Sequence, residues 1–228
     1  MGIFSLTDDC CDFPPLRFAN SDGLLAFGGD LSVQRLVAAY SQGIFPWYNA
    51  HTPILWWSPD PRCVLFPKEL HIPASLKKIM RSGKFSFSVN EDFETVIRNC
   101  SGCNRPEQNG TWILPEMIEA YIALHLAGKA HSVEVWEEGV LAGGLYGVAL
   151  GRVFFGESMF YLRPNASKAA VVWLVQQLDA LNFKIIDCQQ ETAHMLRFGA
   201  QMVDRMCFSQ IIHKAVSEKD AVGFWQRG

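Results

Sequence analysis

Residues 131–161 constrain the fold of this chain more than any other stretch. They read HSVEVWEEGVLAGGLYGVALGRVFFGESMFY, a run of apolar, aromatic and glycine residues that is interrupted at Glu138-Gly139 and at Leu150-Gly151. Glycine-containing dipeptides between strand-forming runs are typical of tight β-turns. The stretch therefore predicts three consecutive antiparallel strands.

The segments on both sides of these strands show helical and strand patterns. Before them, FSFSVNEDF predicts a strand, EDFETVIRNC a helix, and LPEMIEAYIALHLAG an amphipathic helix that ends at Gly128. After them, Asn165 is expected to cap a long helix, ASKAAVVWLVQQLDALNF, and KIIDCQ predicts a short buried strand. A helix in TAHMLRFGA is the last predicted element before the tail. This order predicts an α+β fold for residues 63–228.

The first sixty residues have a different character, because glycine and proline interrupt them throughout. DLSVQRLVAAYSQG predicts a short helix that Ser32 or Asp30 caps and Gly43 ends. The segments FPWY and PILWWSPDPR follow, and their prolines exclude long regular elements. Residues 1–62 are therefore expected to form a small irregular N-terminal domain.

Composition excludes several classes of protein. The chain has 228 residues, 49% of them hydrophobic, yet no apolar run approaches the roughly 20 residues of a membrane span. The N-terminus lacks the basic segment of a signal peptide, so a cytoplasmic protein without a membrane partner is expected. Seven cysteines, with one isolated Cys100-x-x-Cys103 pair, favour reduced thiols over a metal site or a disulfide framework.

The charge pattern is more informative than the net charge of −3, which argues against general coating of nucleic acid. Between positions 62 and 84 the sequence has six basic residues and a single acidic residue, Glu69. Such a stripe suits contact with phosphates, and an ordinary solvated helix face explains the charges equally well. The residues considered as phosphate contacts are Arg62, Lys77, Lys78, Arg81 and Lys84.

Glu157 is the most unusual residue of the three-strand segment, because it lies within the apolar sequence VFFGESMFY. Burying a carboxylate is costly unless the group is paired or hydrogen-bonded. A functional role for Glu157 is therefore favoured over a purely structural one.

Nine short motifs occur in order along the chain. They are GLLAFGGDLS, GIFPWY, PILWWSPDPR, GTWI, AHSVEVW, GGLYGV, GESMF, NASK and IDCQ. Together they resemble the bacterial leucyl/phenylalanyl-tRNA–protein transferase family, from Gly23 to Gly199. The resemblance implies transfer of Leu, Phe and, less efficiently, Met from aminoacyl-tRNA to the N-terminal α-amine of proteins that begin with Arg or Lys. The added residue would mark those proteins for degradation by the N-end rule.

The order of elements in residues 63–228 also resembles the acetyltransferase fold of the GNAT type. In that fold an acyl donor enters where two neighbouring strands splay apart, and ordinary members hold the pyrophosphate of coenzyme A on a glycine-rich turn. The corresponding turn here, YLRPNASK, has no such glycines, so a phosphate cradle is weakly supported. A coenzyme A-dependent N-acetyltransferase is therefore the second interpretation, and a noncatalytic tRNA-binding protein is the third.

The resemblance implies a binding site for the charged end of the tRNA. Trp47 and Trp112 would flank the terminal adenosine, and stacking of a base on an aromatic ring is worth about 1–3 kcal/mol. Two positions differ from the pattern of the family. This chain has Tyr161 where a serine commonly follows GESMF, and Leu174 where phenylalanine can occur. The preference of this protein for Leu or Phe as the transferred residue therefore stays open. An apolar pocket would receive the amino acid side chain, and its expected residues are Leu145, Phe154, Val171, Leu174, Leu178 and Ile186.

The chemistry is expected at Asp187, Gln189 and Glu157. Side chains alternate along a strand, so IIDCQ is predicted to place Asp187 and Gln189 on one face. An aminoacyl ester is already activated, so no cofactor, ATP or metal is required. Gln189 is expected to orient the attacking amine and Asp187 to supply electrostatic stabilisation.

Two tasks stay open for Glu157. It could select a basic N-terminus together with Asp187, because a cation favours a carboxylate at the mouth of the pocket. It could instead order the pocket through hydrogen bonds to backbone amides. The enzyme is expected to act as a monomer.

Overall fold

The computed structural model describes residues 2–103 and 113–226. Within these ranges lie eleven strands and eight α-helices. The strands are β1 (Phe4–Leu6), β2 (Leu24–Gly28), β3 (Phe45–Pro46), β4 (Leu55–Trp57), β5 (Arg62–Leu65), β6 (Ser86–Val89), β7 (Ala130–Glu137), β8 (Val140–Leu150), β9 (Val153–Tyr161), β10 (Ile185–Gln189) and β11 (Gln201–Val203). The helices are α1 (Val33–Ser41), α2 (Ala74–Arg81), α3 (Phe93–Ser101), α4 (Pro115–Leu126), α5 (Ala166–Ala180), α6 (Ala193–Leu196), α7 (Arg205–Val216) and α8 (Val222–Trp225).

The strands form two sheets, and the predicted mixture of helices and sheet is confirmed. A four-stranded sheet has the order β1-β2-β4-β3 and lies within the first 57 residues, while a seven-stranded sheet has the order β11-β5-β10-β9-β8-β7-β6. Strand β5 of the larger sheet begins at Arg62. The predicted boundary at residues 62 and 63 therefore falls at the start of this strand.

The three predicted antiparallel strands are β7, β8 and β9, and this prediction is confirmed. Glu138 and Gly139 connect the first two, and both have positive φ, at 53° and 77°. The second turn lies at residues 151–152 rather than at Leu150-Gly151, because β8 extends through Leu150 and pairs there with Val153.

The capping predictions have different outcomes at the two helices concerned. Ser32, not Asp30, caps α1, since its hydroxyl accepts a hydrogen bond from the backbone N–H of Arg35. Asn165 does occupy the N-cap position of α5, but its φ is 71° and its side chain makes no capping hydrogen bond. Asparagine is one of the few residues that tolerates this left-handed conformation, so its role is in the turn rather than in the cap.

The prediction is incomplete after residue 192. The predicted helix in TAHMLRFGA shrinks to α6, and β11, α7 and α8 follow it. Asp204 caps α7 by accepting a hydrogen bond from the backbone N–H of Cys207. Phe208, Ile212 and Ala215 recur at helical spacing on α7 and are buried in the core. That spacing is the sequence signal that would have predicted α7.

Each face of the seven-stranded sheet carries a hydrophobic core. On one face, side chains of α5 pack with Leu65, Phe154 and Ile186. The other core includes Phe155 and Ile185 of the same strands, residues of α3, α4 and α7, and the four-stranded sheet with α1. The N-terminal part shares this second core, and α1 contacts β8, an inner strand of the large sheet.

Strands β9 and β10 run parallel and then part. Their ladder pairs Val153 with Ile185 and ends where Phe155 pairs with Asp187. The predicted splay of two neighbouring strands is therefore confirmed. Among the described residues, no helix has the length and apolar character needed to cross a lipid bilayer.

Two β-bulges lie beside the splay. In β9, Gly156 and Ser158 pair with β8, and Glu157 between them is the extra residue. In β10, Asp187 and Gln189 pair with β5, and Cys188 is the extra residue. A bulge breaks the alternation of side chains and re-aims them, and bulges are frequent next to active sites.

Candidate active site

A cavity of about 280 Å³ opens where β9 and β10 separate. Its apolar walls come from β8, β9, β10 and α5, and they include five of the six predicted pocket residues. Glu157, Asp187 and Cys188 lie at the side where the strands part. The predicted residues that line it are Leu145, Phe154, Val171, Leu174 and Ile186.

Leu178 and Tyr161 lie outside this lining. Leu178 is fully buried in the core on the α5 side of the sheet, one turn beyond Leu174. Tyr161 is 66% exposed at the end of β9, so it does not narrow the cavity. Met159, Val175 and Met195 line the cavity in addition to the predicted residues. Long thioether side chains adapt their shape, which suits a pocket that accepts more than one apolar group.

Glu157 is held by three side-chain donors. Its Oε1 accepts hydrogen bonds from the Tyr40 hydroxyl and from the Gln189 amide nitrogen, both at 2.7 Å. Its Oε2 accepts one from the Tyr121 hydroxyl at 3.1 Å, and the two tyrosine hydroxyls also contact each other. These donors are side chains, not the backbone amides of the sequence prediction. A carboxylate has about four acceptor sites, so one is left for a substrate.

Burial raises the pKa of Glu157 to about 7. The hydroxyls of Tyr40 and Tyr121 and the amide of Gln189 lower this pKa, and the nearby charge of Asp187 raises it. Burial, followed by the charge of Glu157, raises the pKa of each tyrosine well above its usual value. Both tyrosines therefore remain hydrogen-bond donors at neutral pH, and Glu157 changes its charge there.

Asp187 is fully buried and forms an ion pair with Arg62, which is also fully buried. The guanidinium Nε and a terminal nitrogen donate to the two carboxylate oxygens at 2.8 and 2.7 Å. The rings of Phe45 and Phe208 each lie 4.7 Å from the guanidinium carbon. Arg62 was predicted to contact tRNA phosphates, and this prediction is wrong, because the residue is enclosed and its charge is matched by Asp187.

Gln189 is positioned by Asp187 and by the bulge. Its φ is 62°, and its backbone N–H donates to Asp187 Oδ1 at 2.8 Å. Its side chain extends to Glu157, and the bulge at Cys188 replaces the regular strand that was predicted to put Asp187 and Gln189 on one face. The three residues predicted for the chemistry are thus brought together, through a geometry that simple alternation does not give.

The other predicted residues lie farther from this cluster. Trp47 follows β3, is partly buried, and packs edge-on against Trp57 with ring centroids 5.8 Å apart. It is not part of the cavity lining. Trp112 falls outside the described residues. Lys77, Lys78 and Arg81 are exposed on α2, and exposed Lys84 lies 3.4 Å from Glu137.

Three residues of the site escape the sequence analysis: Tyr40, Tyr121 and, in its structural role, Arg62. Tyr40 and Tyr121 come from α1 and α4, 117 and 36 positions away from Glu157. Each occupies an apolar position of an amphipathic helix, where an aromatic residue predicts only core packing. No spacing in the sequence connects them to the carboxylate.

This arrangement is suited to one kind of reaction. The cavity takes an apolar group, and next to it lie an amide that can orient a nucleophile and a carboxylate with a pKa near neutrality. Fold and site together define an acyl-transferring enzyme of mixed α/β architecture.

The comparisons with known proteins give the family. The sequence model of the leucyl/phenylalanyl-tRNA protein transferase family matches residues 64–213, and the model of its N-terminal domain matches residues 29–60. A leucyl/phenylalanyl-tRNA–protein transferase from Oleidesulfovibrio alaskensis is 57% identical over 99% of this chain and 93% of its own. Proteins with the same description from Nitratidesulfovibrio vulgaris and an Anaeromyxobacter species are 51% and 52% identical, each over 99% of this chain and 97% and 95% of their own. This chain belongs to the leucyl/phenylalanyl-tRNA–protein transferase family.

Solved structures with some likeness to this chain are much more distant. A GCN5-related N-acetyltransferase from Kribbella flavida is 13% identical, with a TM-score of 0.37 over 73% of this chain and 59% of that chain. The L-PGS structure from Bacillus licheniformis is 11% identical, with a TM-score of 0.41 over 74% of this chain and 53% of that chain.

Proposed function

We propose that this protein transfers Leu, Phe and, less efficiently, Met from aminoacyl-tRNA to the N-terminal amine of proteins that begin with Arg or Lys. The observation that carries the proposal is the apolar cavity that opens beside Glu157 and Gln189, in a member of this family. The modified proteins would be marked for degradation by the N-end rule.

The donor's side chain occupies the cavity in this proposal. Walls of Leu145, Phe154 and Leu174 suit an unbranched-at-Cβ apolar side chain, and Met159 and Met195 adjust to Leu, Phe or Met. Rejection of a misfitting methylene is worth only about 1–3 kcal/mol, so discrimination among apolar residues is moderate. The ester carbonyl then lies where the cavity meets the polar side chains.

The reaction forms an amide and releases the tRNA. The neutral α-amine attacks the ester carbonyl carbon, the bond to the ribose oxygen breaks, and the amine's proton passes to that departing oxygen. Gln189 gives its N–H to Glu157, which leaves its amide oxygen to accept a hydrogen bond from the amine. An α-amine has a pKa of about 7.7–8.0, so an appreciable fraction is already neutral and no strong base is required.

Asp187 serves as a positioning residue in this mechanism. Its charge is matched by Arg62, and its Oδ1 holds the backbone of Gln189. From the sequence, Asp187 was expected to supply direct electrostatic stabilisation and a share in attracting the basic N-terminus. The buried ion pair favours the indirect role, because a matched carboxylate has little charge left to offer a substrate.

Glu157 is the residue proposed to recognise the acceptor. Its one remaining acceptor site would bind the cation of an N-terminal Arg or Lys, and the three donors from the protein hold the carboxylate in place. Of the two tasks left open by the sequence, this assignment keeps selection of a basic N-terminus, without a share for Asp187. Lys77, Lys78, Arg81 and Lys84 remain proposed phosphate contacts, and Trp47 and Trp112 remain proposed contacts of the adenosine.

The test is transfer of labelled leucine from charged tRNA to two peptides that differ only in an N-terminal Arg or Ala. Label on the Arg peptide alone supports both the reaction and its acceptor rule. Label on both peptides keeps the transferase and removes the role of Glu157, and no label on either, with the charged tRNA intact, overturns the function.

The Glu157→Gln variant makes this test specific. The amide keeps the shape of the side chain and removes its charge, and a hydrogen bond to a charged group contributes about 1.5–3 kcal/mol. We expect the preference for the Arg peptide over the Ala peptide to fall by about 10- to 100-fold.

The wild-type KM for the Arg peptide should rise as the pH falls through about 7, because the carboxyl of Glu157 becomes neutral, and the Glu157→Gln variant should lack this rise.

The protein is also proposed to act as a cytoplasmic monomer built from an N-terminal domain of residues 1–62 and a catalytic domain of residues 63–228. The proposed donor, charged tRNA, is a cytoplasmic molecule, which supports the cytoplasmic location. Light scattering of the active protein checks its mass.

A further inference from the structure

Cys63 and Cys188 lie opposite each other on neighbouring strands beside the active site. In the ladder of β5 and β10, Val64 pairs with Asp187 and Cys63 pairs with Gln189, which leaves Cys188 as the extra residue of the bulge. In a bulge two residues oppose one on the partner strand, so Cys188 shares Cys63 as its neighbour. The registered partner of Cys63 is Gln189, and Cα atoms paired in this way lie about 4.5–5.5 Å apart, so Cys188, the next residue along, lies on the strand that faces Cys63.

The two thiols also lie on the same face of the sheet. Leu65 pairs with Ile186, and both belong to the core on the α5 side. Cys63 precedes Leu65 by two residues on regular β5, so alternation places it on that face, and Cys188 of the bulge packs against the same core. Both belong to that core cluster, Cys63 as a buried member and Cys188 as a partly buried one.

The thiols contact each other, and one of them is accessible. A hydrogen bond with Cys188 lowers the pKa of Cys63, and the same bond together with burial raises the pKa of Cys188 well above its usual value. Cys188 lines the cavity, whereas Cys63 is fully buried and lies outside the lining. A small oxidant that enters the cavity therefore meets Cys188 first, with Cys63 behind it.

We propose that Cys63 and Cys188 form a reversible disulfide that switches the active site off, with a hydroperoxide as the oxidant. One thiolate of the pair attacks the peroxide oxygen, which gives a sulfenic acid and, with hydrogen peroxide, one water. The second thiol displaces a second water from the sulfenic sulfur and forms the S–S bond. Two electrons and two protons pass from the thiols to the peroxide. An added dithiol then reduces the disulfide to two thiols by thiol–disulfide exchange and is itself oxidised to a disulfide.

The bond would act on catalysis through the bulge. Cys188 lies between Asp187 and Gln189, so drawing its sulfur toward β5 shifts the cavity wall and the backbone that aims Gln189 at Glu157. Displacement of a positioning group by about 1 Å can cost roughly 100-fold in rate. This consequence rests on the proposed aminoacyl transfer, whereas formation of the disulfide does not.

The test uses the full-length chain with the exposed or partly exposed thiols outside the site changed to serine, namely Cys10, Cys11, Cys103 and Cys207. The protein is treated with graded hydrogen peroxide, digested without reduction and mapped by mass spectrometry. Leucine transfer is measured in parallel, before and after dithiothreitol. The matched control is Cys63→Ala, which removes the partner thiol and leaves the cavity wall in place.

We expect a crosslinked peptide that joins residues 63 and 188, a loss of transfer of at least about tenfold, recovery with dithiothreitol, and resistance of Cys63→Ala to the same dose. No crosslink at a dose that oxidises the exposed cysteines of the wild-type chain overturns the modification site. A crosslink without loss of transfer, or equal loss in Cys63→Ala, overturns the switch.

Should Cys63→Ala not fold, Cys188→Ala serves as the mapping control. A preparation that transfers no leucine before oxidation counts against the proposed function, and the map still decides the disulfide.

Discussion

Arg62 and Asp187 form an ion pair with almost no access to solvent, and this pair supports the site from behind. Taking two charges out of water is costly, and the attraction offsets that cost only when the geometry is good. Here the contact is bidentate, and two aromatic rings cover the guanidinium. Breaking the pair would leave one buried charge without a partner.

We predict that Asp187→Ala lowers the free energy of unfolding by about 3–5 kcal/mol, because it strands the charge of Arg62. Urea denaturation measures this loss. Transfer of leucine should also fall, since the backbone N–H of Gln189 loses its acceptor. A loss of activity in this variant alone therefore says little about chemistry.

A double variant separates the two effects. Arg62→Met combined with Asp187→Leu replaces the pair by apolar groups, which is often neutral for stability. We expect near wild-type stability and persistent loss of transfer. Wild-type transfer in the double variant would contradict the positioning role of Asp187.

Helix α2 carries three of the four residues that remain proposed as phosphate contacts. It exposes Lys77, Lys78 and Arg81, and no ion pair is seen for these three among the described residues. Leu76 anchors the helix to the core on the α5 side of the sheet. The helix thus presents three cations on a fixed support, between strands β5 and β6 of the seven-stranded sheet.

We predict that alanine at Lys77, Lys78 or Arg81 weakens the binding of charged tRNA. Removing one cation from a phosphate should reduce the slope of log affinity against log salt concentration by roughly 1, because one fewer counterion is released. Binding titrations at several salt concentrations measure this slope. Lys214→Ala, an exposed lysine on α7, is the control. An equal change in slope for this variant would show that α2 has no special role.

At the scale of the whole molecule, the N-terminal part completes the active site. Tyr40 on α1 and Tyr121 on α4 reach Glu157 from two different parts of the chain, and both are fully buried. The four-stranded sheet and α1 share a core with the larger sheet, which holds Tyr40 in place. The charge of Glu157 therefore depends on how the two sheets pack.

We predict that Tyr40→Phe moves the pH dependence of Arg-peptide binding upward by about one to two pH units. The Tyr40 hydroxyl lowers the pKa of Glu157 by stabilising its ionised form, and a hydrogen bond to a charged group is worth about 1.5–3 kcal/mol. Without this bond the carboxyl stays protonated to higher pH. The measurement is KM for the Arg peptide between pH 6 and 9.

Tyr48→Phe is the matched control for this prediction. Tyr48 also belongs to the N-terminal part, and its hydroxyl bonds to Glu116 of α4 instead. The control should leave the midpoint unchanged. An upward shift of equal size in both variants would mean that general loosening of the two sheets, rather than the bond to Glu157, sets the pKa.

Much of the fold follows from local sequence signals. The three strands from residue 130 to 161 were predictable because apolar runs and glycine turns specify hairpins within a few residues. The start of α1 was predictable to within two residues, as a cap by Ser32 or Asp30, because capping is also local, and the structure selects Ser32. The elements after residue 200 were missed although Phe208 and Ile212 carry the helical spacing.

The site was only partly predictable. Glu157, Asp187 and Gln189 are marked by polar character in apolar surroundings and by their motifs, and the structure brings them together. Their contacts were not predictable, since two bulges override the alternation of side chains and the partners Tyr40, Tyr121 and Arg62 come from distant segments.

The sequence by itself determined the class of fold, the family and the residues of interest, because these depend on spacing, local turn chemistry and motifs within short windows. Only the tertiary structure decided which groups carry charge at the site. It enclosed Arg62 against Asp187, and it surrounded Glu157 with hydroxyls in a buried setting that raises its pKa to about 7. The energy of a charge depends on the solvent and partners that surround it in space, and packing between distant segments creates those surroundings.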